Sequence, residues 1–448
     1  MYNLEREEKM FENKKIFILG MGRSGISVAK LLADKNEVVI TDKKEDIEGA
    51  EILKKIGVEV IFTDDQESLV DSSFDVFVKN PGVKLDHPAV LKAEKLNIPV
   101  ITELEVAYRY LPDVKIIGIT GSNGKTTTTT LTYNFLKEAS LPVHLAGNIG
   151  IPLCDRLKDI KDGDILVLEI SSHQLVNLDK FKVDVAALTN LSEVHIDHFG
   201  TYENYKNVKL RIFNHQTSSD TAIINKGDDE VYKRTLNLGS RKLYFSSKDK
   251  ADIYIDGNYI IYEGKKVLKL SDIKIKGVHN YENIMCASLI VRQFNVPFEI
   301  IKRVLSSFGG VAHRMEFVKN VHGREFYNDS KATNVVSTIT ALKSFNENVI
   351  LILGGLDRGH SFDDLIPYLD RVKLIVCYGE TKDRIVKFAH DNSVKVITTG
   401  DVRQSVHIAY DNSSEGDTIL LSPACASWDQ WDNFEMRGDA FKDEIENI

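Results

Sequence analysis

The chain has 448 residues, more than one typical hydrophobic core accommodates, so two or three domains are expected. Its formal net charge of -9 disfavours general nucleic-acid binding and requires that positive charge be concentrated locally wherever an anion binds. No apolar run approaches the roughly 18 residues that a membrane span needs, and the charged N-terminus lacks the apolar stretch of a signal peptide. We therefore expect a cytoplasmic protein without a membrane or nucleic-acid partner. The four cysteines lack metal-binding spacing and are expected to be reduced.

Apolar runs alternate with helix-like stretches along the chain, which is typical of parallel sheets covered on both faces. The predicted strands are KKIFIL, EVVIT, VEVIF, FDVFVK, VKIIGIT, PVHLA, DILVLEI, VAALTN, NVILILGG, VKLIVCYG, VKVIT and DTILLSP. Residues 241–270 differ, because short strands around the turn signals DGN and EGKK predict an antiparallel insertion. We predict three α/β units, over residues 1–108, 109–312 and 313–448.

The first glycine cluster, GMGRSG, follows the strand KKIFIL and precedes a helix-like segment. Gly20, Gly22 and Gly25 form the GxGxxG pattern, and Asp42 closes the next predicted strand. This pattern indicates a diphosphate at the N-terminus of a helix, with the acidic residue on a ribose or base. The diphosphate of NAD and that of UDP fit equally well. A tight turn without a ligand, in which the glycines only permit close packing, also remains open.

The second glycine cluster, GSNGKTT, departs from the strict P-loop because Ile119 stands where that motif has its first glycine. The GxxGKT core is retained from Gly121 to Thr126. Backbone N–H groups of such a loop hold phosphate, Lys125 reaches the β- and γ-phosphates, and Thr126 is suited to ligate Mg²⁺. The alternative is a turn that only caps the following helix.

Two further segments carry candidate metal ligands. Glu169 ends the strand DILVLEI, where α/β proteins commonly place their chemistry, although it could also cap the next helix. His195, Asp197 and His198 follow the strand VAALTN. Two histidines three residues apart do not make a zinc site without further ligands at matching spacing, and a structural or exposed role for His195 remains open.

Together these segments resemble the Mur ligase family, in family order and over nearly the whole chain. TGSNGKTT alone is shared with folylpolyglutamate synthetases, and the last two motifs are most similar to the D-glutamate-adding branch. The matching motifs are TGSNGKTT, GNIG, LEISSHQL, HIDH, GVHNYENIMCA, AHRMEF, NDSKATN and LSPACASWDQWDNFEMRG.

The resemblance implies an ADP-forming ligase of peptidoglycan precursor synthesis that joins D-glutamate to UDP-N-acetylmuramoyl-L-alanine through an acyl phosphate. A Rossmann-like N-terminal domain (1–108) would hold the UDP-substrate. A central P-loop-type mononucleotide-binding α/β domain with a small antiparallel insertion (109–312) would hold ATP, and a Rossmann-like C-terminal domain (313–448) would hold the amino acid. Two Mg²⁺ ions, a monomeric state and domain closure over ATP are also expected.

The resemblance also implies roles for individual residues. The implied catalytic residues are Lys125, His195 and Lys209. The implied metal ligands are Thr126, Glu169, His195 and Lys209, the last as a carbamate. The implied ATP contacts are Gly121, Ser122, Asn123, Gly124, Lys125, Thr126, Thr127, Asn280, Asn283, Arg314 and Asp329. The implied UDP-substrate contacts are Arg23, Ser24, Asp42, Gly82, Asn148 and Ser171. The implied D-glutamate contacts are Lys331, Thr333, Arg358, Ser427, Trp428 and Phe434.

Structural alternatives accompany several of these roles. Lys209 could be an exposed helical lysine, Asn280 could be a helix N-cap, and Trp428 and Phe434 could pack the core of their domain. For the whole chain, the rivals are another Mur ligase or a folylpolyglutamate synthetase-like ligase, an NAD(P)-dependent oxidoreductase built on GMGRSG, and a nucleotide-sensing module without turnover. An oxidoreductase would leave Lys125 and Thr126 without a purpose.

Overall fold

The computed structural model describes residues 11–45, 47, 49–193 and 196–448. The chain divides into two compact units, one ending at Ser306 and the other beginning at Ser307. Within the described residues, three sheets of five, nine and six strands alternate with helices. The predicted α/β class with three sheet-forming regions is therefore confirmed. None of the helices that the structure describes is long and apolar enough to span a membrane.

The first unit opens with a parallel sheet in the order β3-β2-β1-β4-β5. The strand order reverses between β1 and β4, so the loops after these two strands flank the crevice where such sheets bind ligands. The strands are β1 (Lys15–Leu19), β2 (Glu37–Asp42), β3 (Glu59–Phe62), β4 (Val76–Lys79) and β5 (Val100–Ile101). The helices are α1 (Arg23–Leu32), α2 (Ala50–Lys55), α3 (Pro88–Lys95) and α4 (Glu103–Tyr110).

The same unit contains a nine-stranded sheet in the order β14-β13-β12-β11-β10-β9-β6-β8-β7. Its strands are β6 (Lys115–Thr120), β7 (Val143–Gly147), β8 (Ile165–Glu169), β9 (Val185–Leu188), β10 (Thr221–Asn225), β11 (Arg241–Ser246), β12 (Ile253–Asp256), β13 (Tyr259–Tyr262) and β14 (Lys265–Lys269). Its helices are α5 (Lys125–Glu138), α6 (Leu153–Arg156), α7 (Ser172–Leu175), α8 (Ile196–Phe199), α9 (Tyr202–Leu210), α10 (Asp229–Thr235), α11 (Val278–Arg292) and α12 (Phe298–Ser307), with 3₁₀ turns at Leu157–Asp159, Arg211–Phe213 and Leu270–Asp272.

The predicted antiparallel region over 241–270 is confirmed for its C-terminal part. Strand β13 runs antiparallel to both β12 and β14, and the turn signals DGN and EGKK mark the two hairpins. The prediction is wrong for β11, which pairs parallel to β10 because α10 carries the chain back to the same end of the sheet. Strand β12 also pairs parallel to β11, so the antiparallel strands extend the main sheet.

The second unit has a six-stranded sheet in the order β15-β16-β20-β17-β18-β19. The β15–β16 hairpin is a second antiparallel region that the sequence did not reveal, because its strands carry more polar side chains than the others. The strands are β15 (Glu316–Val321), β16 (Arg324–Asn328), β17 (Val349–Gly354), β18 (Val372–Tyr378), β19 (Val396–Thr398) and β20 (Thr418–Leu421). The helices are α13 (Val335–Leu342), α14 (Lys382–Asp391), α15 (Val402–Asp411) and α16 (Phe434–Ile445), with a 3₁₀ segment at Asp363–Arg371.

The two sheets of the first unit share one continuous apolar core, to which Ile18 of β1 and Leu168 of β8 both belong. A buried carboxylate adds polar contacts between α4 and the segment after α7. The Glu105 carboxylate accepts the backbone N–H groups of Asp179, Lys180 and Phe181 and the Nε–H of Arg109, all at 3.0–3.1 Å. Such charge-assisted bonds are the strong ones, and their loss leaves buried donors without acceptors.

We therefore expect Glu105→Ala to lower the free energy of unfolding of the first unit by about 3 kcal/mol. Urea denaturation followed by circular dichroism measures this change. Glu51→Ala removes a carboxylate whose side chain is 77% exposed, and this control should shift the free energy by less than about 0.5 kcal/mol. Equal effects of the two substitutions would show that the Glu105 contacts are not stabilising.

Candidate functional site

The loop between β6 and α5 has the backbone that a phosphate-binding turn needs. Gly124 lies at φ 79° directly before the helix, and Gly121 has φ 153°. A Cβ on Gly124 would lie 2.2 Å from the Asn283 side-chain oxygen, and a Cβ on Gly121 would lie 1.9 Å from Thr189 Oγ1. Glycine is therefore required at both positions for close approach as well as for conformation. Thr126 and Thr127 belong to the first turn of α5, and the N–H groups of a first helical turn point towards the N-terminus, where anions bind.

A second segment, after β9, fixes the shape of this loop. The Asn123 N–H donates to Asn190 Oδ1 at 2.8 Å, and Thr189 Oγ1 donates to the Asn123 carbonyl at 2.6 Å. Ser122 Oγ lies 2.9 Å from the Tyr205 hydroxyl and donates to the Ser192 carbonyl at 3.1 Å. The sequence prediction missed these supporting residues. Polar residues directly after the strand VAAL were the available signal.

The ammonium of Lys125 lies across the loop that precedes it. Its Nζ donates to the carbonyl oxygens of Gly121 and Ser122, both at 2.9 Å. Both of these acceptors are neutral carbonyl oxygens of the loop itself. The phosphate-binding role of Lys125 remains a prediction.

Glu169, at the carboxyl end of β8, lies beside the loop strand and is only 2% exposed. Its Oε1 accepts the Asn148 side-chain N–H at 2.7 Å, whereas its buried Oε2 has no hydrogen-bond partner among the described residues. A buried carboxylate oxygen without a donor is costly unless a cation or a donor group binds it. The alternative in which Glu169 caps the next helix is excluded, because Ser171 is the N-cap of α7 and forms a capping box with Gln174.

Lys209, on α9, is only 1% exposed, so the alternative of an exposed helical lysine is wrong. Its Nζ donates to Thr120 Oγ1, at the end of β6, at 2.9 Å. Burial and the nearby charge of Lys125 lower the pKa of Lys209 well below its ordinary value, while Glu169 acts in the opposite direction. The amine is therefore held next to Lys125 and Glu169 in a form that favours neutrality.

The structure describes three of the four predicted metal ligands. Thr126 is 4% exposed at the start of α5, and Glu169 supplies the buried oxygen without a partner. His195 lies outside the described residues. No group of three or more His, Cys, Asp or Glu side chains suited to a metal occurs in the described part of the chain. Hard oxygen donors such as Thr126 and Glu169 suit Mg²⁺, which keeps several of its waters and needs few protein ligands.

The two asparagines of GVHNYEN have different environments. Asn283 is 6% exposed on α11, next to the phosphate loop, and its Oδ1 accepts from Thr128 Oγ1 at 3.3 Å. Asn280 is half-buried, and its side chain donates to the Lys276 carbonyl at 2.8 Å. The alternative in which Asn280 caps the helix is wrong, because Gly277 occupies the N-cap position and no side chain caps it.

The first glycine cluster forms a tight turn between β1 and α1. A Cβ on Gly25 would lie 2.1 Å from the Gly20 carbonyl oxygen, and a Cβ on Gly22 would lie 2.8 Å from the Asn80 amide nitrogen. Asn80, at the end of β4, is a packing partner that the sequence prediction missed.

The predicted UDP-substrate contacts lie around this turn. Asp42 Oδ2 accepts the Met21 N–H at 2.7 Å, so this carboxylate also fixes the turn. Arg23 is exposed and Ser24 is half-buried in the first turn of α1. Gly82 follows β4 with open space around it.

In the second unit, the carboxylate of Asp329 is buried at the end of β16. It accepts from Ser422 Oγ at 2.8 Å and from the Met315 N–H at 3.2 Å. Burial raises the pKa of Asp329 to about 7, against the weaker opposing effects of these hydrogen bonds and of the Arg314 and Arg437 charges. The Arg314 charge therefore acts on the Asp329 carboxyl, and the nucleotide contacts of these two residues remain a prediction.

The predicted D-glutamate residues form two cation–aromatic pairs in the second unit. The Arg358 guanidinium lies 4.7 Å from the centre of the Trp428 ring, and Lys331 Nζ lies 5.5 Å from the centre of the Phe434 ring. Trp428 is 64% exposed, so the alternative in which it packs the core is wrong. Two further members of the set, Thr333 and the buried Ser427, lie close in sequence to these pairs.

The fold and these sites together define a nucleotide-binding α/β protein with a phosphate loop and a second glycine-rich turn. Comparison with known families extends this description over nearly the whole chain. Residues 14–102 match the Mur ligase MurD-like N-terminal domain, residues 119–291 the Mur ligase middle domain, and residues 313–425 the Mur ligase glutamate ligase domain. The chain belongs to the Mur ligase family.

Individual relatives are similar along their full length. A UDP-N-acetylmuramoylalanine--D-glutamate ligase of Geobacillus kaustophilus is 41% identical over 447 residues, covering 98% of this chain and 99% of that protein. The enzyme of the same name from Bacillus cereus is 41% identical over 438 residues, covering 96% and 97%.

Solved structures of lower identity share the fold. The UDP-N-acetylmuramate-alanine ligase of Thermotoga maritima superposes with a TM-score of 0.58 at 16% identity, covering 97% of this chain and 100% of that one. The MurF ligase of Thermotoga maritima, solved in complex with ADP, has a TM-score of 0.56 at 18% identity, covering 98% and 96%.

The pKa of Asp329 predicts a pH-dependent stability of the second unit. Because the folded carboxyl group retains its proton up to about pH 7, while the unfolded group loses it near pH 3.8, the free energy of unfolding falls as the pH rises between these values. The fall amounts to at most about 4 kcal/mol. We expect Asp329→Asn to remove most of this decline in urea titrations between pH 5 and pH 8. The exposed Asp364→Asn is the matched control, and the same pH slope in both variants would contradict the assignment.

Proposed function

We propose that this chain is an ATP-dependent, ADP-forming ligase that joins D-glutamate to UDP-N-acetylmuramoyl-L-alanine in peptidoglycan precursor synthesis. The observation that carries the proposal is the convergence of two lysines and a carboxylate at one end of the nine-stranded sheet. Lys125 lies over the phosphate loop, Lys209 is buried against Thr120, and Glu169 has a buried oxygen without a partner. The near full-length identity to curated ligases of this activity supports the same substrates.

Within this proposal, three regions share the substrates. Residues 1–108 bind the UDP end of the precursor at the GMGRSG turn, through Arg23, Ser24, Asp42 and Gly82. Residues 109–312 bind ATP at GSNGKTT, and residues 313–448 bind D-glutamate. The two glycine clusters therefore serve two nucleotides, one that anchors the substrate and one that reacts.

The chemistry requires an activated carboxylate. A carboxylate oxygen of the alanyl group attacks the γ-phosphorus of ATP, which gives an acyl phosphate and releases ADP. The amine of D-glutamate then attacks the acyl carbon, the tetrahedral intermediate loses phosphate, and a proton leaves the new amide nitrogen. All reactants are anionic, so catalysis rests on neutralising charge and on aligning the reacting atoms.

Different protein groups bind different parts of the reactants. Lys125 and the N–H groups of the loop hold the transferring phosphate, and Asn283 packs against the loop next to the nucleotide. We assign Asn148, whose side chain donates to Glu169, and Ser171, the N-cap of α7, to the alanyl carboxylate. Arg314 and Asp329 contribute the nucleotide contacts of the second unit.

Mg²⁺ suits this site, and we propose two ions. Thr126 and Glu169 would hold the first, while His195 and a carbamate on Lys209 would support the second. When bound, the metal supplies charge neutralisation to the phosphate oxygens. The carbamate forms when the neutral Lys209 amine attacks CO₂ and releases a proton, which turns a buried amine into an anionic oxygen donor.

The rival functions explain less of the site. An NAD(P)-dependent oxidoreductase would use the GMGRSG turn but not the cluster of Lys125, Glu169 and Lys209. A nucleotide-sensing module would have no need of a buried lysine beside the phosphate loop. We also infer that the enzyme acts as a cytoplasmic monomer, because the precursor and ATP are cytoplasmic and one chain supplies every proposed contact.

An acceptor screen tests the proposal. UDP-N-acetylmuramoyl-L-alanine, ATP and Mg²⁺ are offered with D-glutamate, L-glutamate, L-lysine or D-Ala-D-Ala, and ADP and the amide product are measured. We expect ADP only with D-glutamate, and a fall of about 100-fold or more in Lys125→Ala because a phosphate-neutralising charge is lost. Equal ADP with another acceptor, or near-normal turnover of a folded Lys125→Ala, would refute the assignment.

A separate experiment addresses Lys209. Lys209→Ala should reduce turnover about 100-fold, because the carbamate that supports the metal site is lost, and added formate or acetate should restore part of the activity. Lys206→Ala is the matched control, since it removes a buried lysine of the same helix that pairs with Glu203 and Glu230. Full activity of Lys209→Ala without added carboxylate would exclude the role.

A further inference from the structure

The second unit contains a completely buried cation that none of the roles above explains. Arg437, on α16, has no exposed surface and is the largest fully buried side chain of the described residues. Burying a guanidinium is unfavourable unless its N–H groups find acceptors in good geometry. A buried arginine therefore has one of two roles: its hydrogen bonds join separate chain segments, or its positive charge acts on a nearby site.

The acceptors of Arg437 are all neutral oxygens. Its Nε donates to Ser330 Oγ at 3.0 Å and its Nη2 to the Ser330 carbonyl at 2.8 Å. Its Nη1 donates to the Cys425 carbonyl at 3.1 Å. The guanidinium therefore joins two chain segments that lie 95 residues apart in sequence (330 to 425), and no carboxylate accepts from it among the described residues.

These two segments are the ones that carry the proposed acceptor residues. Ser330 directly precedes Lys331, and Cys425 lies two residues before Ser427. Ser330 Oγ also donates to the Phe434 carbonyl at 2.8 Å, so the same hydroxyl fixes the start of α16.

The loop that bears Arg358 is hydrogen-bonded to the segment of Cys425 and Ser427. The Leu356 N–H donates to the Ala426 carbonyl at 2.9 Å. Both cation–aromatic pairs are thus connected to Arg437 by short bonded paths.

We propose that Arg437 is the positioning residue of the amino-acid half of the site, an inference that rests on the proposed function. It fixes the segment of Lys331 relative to the segment of Ser427 and Trp428, and it adds a permanent positive charge beneath a site for a dianionic amino acid. A carboxylate partner would cancel that charge, which is consistent with acceptors that are all neutral.

The hydrogen bonds to the nucleotide contact of the second unit come from other groups, and Arg437 acts on the Asp329 carboxyl only through its charge, which lowers the pKa of that carboxyl. The Asp329 carboxylate is fixed by Ser422 Oγ and by the Met315 N–H, not by a hydrogen bond from Arg437. Loss of the Arg437 bonds should therefore displace the amine of D-glutamate more than it disturbs ATP. An acyl phosphate that waits for a misplaced amine is attacked by water instead, which regenerates the carboxylate and releases phosphate.

The test uses full-length Arg437→Lys, which keeps the charge but not the fork of donors, and Ser330→Ala, which removes one acceptor and the bond to Phe434. We expect the KM for D-glutamate to rise about 10-fold or more, with the KM for ATP within about twofold, because bonds to a charged group are lost only on the acceptor side. The ratio of ADP to amide product should rise above one.

Arg371→Lys is the matched control, because Arg371 donates to the carbonyls of Leu342 and Phe345 in the same unit, and its KM values should not change. If Arg437→Lys does not fold, Ser330→Ala decides the matter. Parallel rises in the KM values of D-glutamate and ATP, or coupled turnover with an unchanged KM for D-glutamate, would overturn the inference. Wild-type enzyme that forms no ADP with D-glutamate would instead refute the proposed function.

Discussion

The arrangement of charge at the carboxyl ends of β6 and β8 is the constraint on which the first unit depends. Lys125, Lys209 and Glu169 lie together there, and only Lys125 has a partly exposed side chain. Within the described part of the chain, Glu169 keeps one buried oxygen without a donor, and Lys209 Nζ donates to a hydroxyl. Groups held in this way are unfavourable for the protein alone and become favourable when anionic substrates and cations bind.

The second unit also contains a buried polar group without an oppositely charged hydrogen-bond partner among the described residues, the guanidinium of Arg437. Arg437 is satisfied by neutral oxygens, so its charge persists inside the unit, while Lys331 and Arg358 lie over aromatic rings nearer the surface. Cations that stack on aromatic faces keep their charge and are still restricted in orientation. A dianionic amino acid would thus meet oriented cations that need little rearrangement, which is how a site discriminates by position as well as by charge.

The sequence predicted those parts that local patterns determine. Apolar runs predicted most of the strands, and the two glycine clusters predicted turns at which a Cβ would collide with neighbouring groups, as at Gly25 and Gly124. The direction in which two strands pair could not be predicted from the residues of the strands alone. Strand β11 is parallel to β10 because of the helix before it. The β15–β16 hairpin was missed because its strands have little apolar alternation.

The supporting residues of the sites were also hidden from the sequence. Asn190 and Asn80 lie far from the glycine loops in sequence, and the folding of the chain brings each of them into contact with one of these loops. Arg437 looks like any basic residue of a helix until its burial is known. For His195, the role remains a prediction from the family resemblance.

One isotope measurement tests the central claim, that the phosphate loop activates the carboxylate of the tethered substrate. UDP-N-acetylmuramoyl-L-alanine with both carboxylate oxygens replaced by ¹⁸O is turned over with ATP and D-glutamate, and the released phosphate is analysed by mass spectrometry. Because the oxygen that attacks the γ-phosphorus leaves with the phosphate, the account predicts one ¹⁸O atom in each phosphate formed. Phosphate without ¹⁸O, released alongside the amide product, would contradict it.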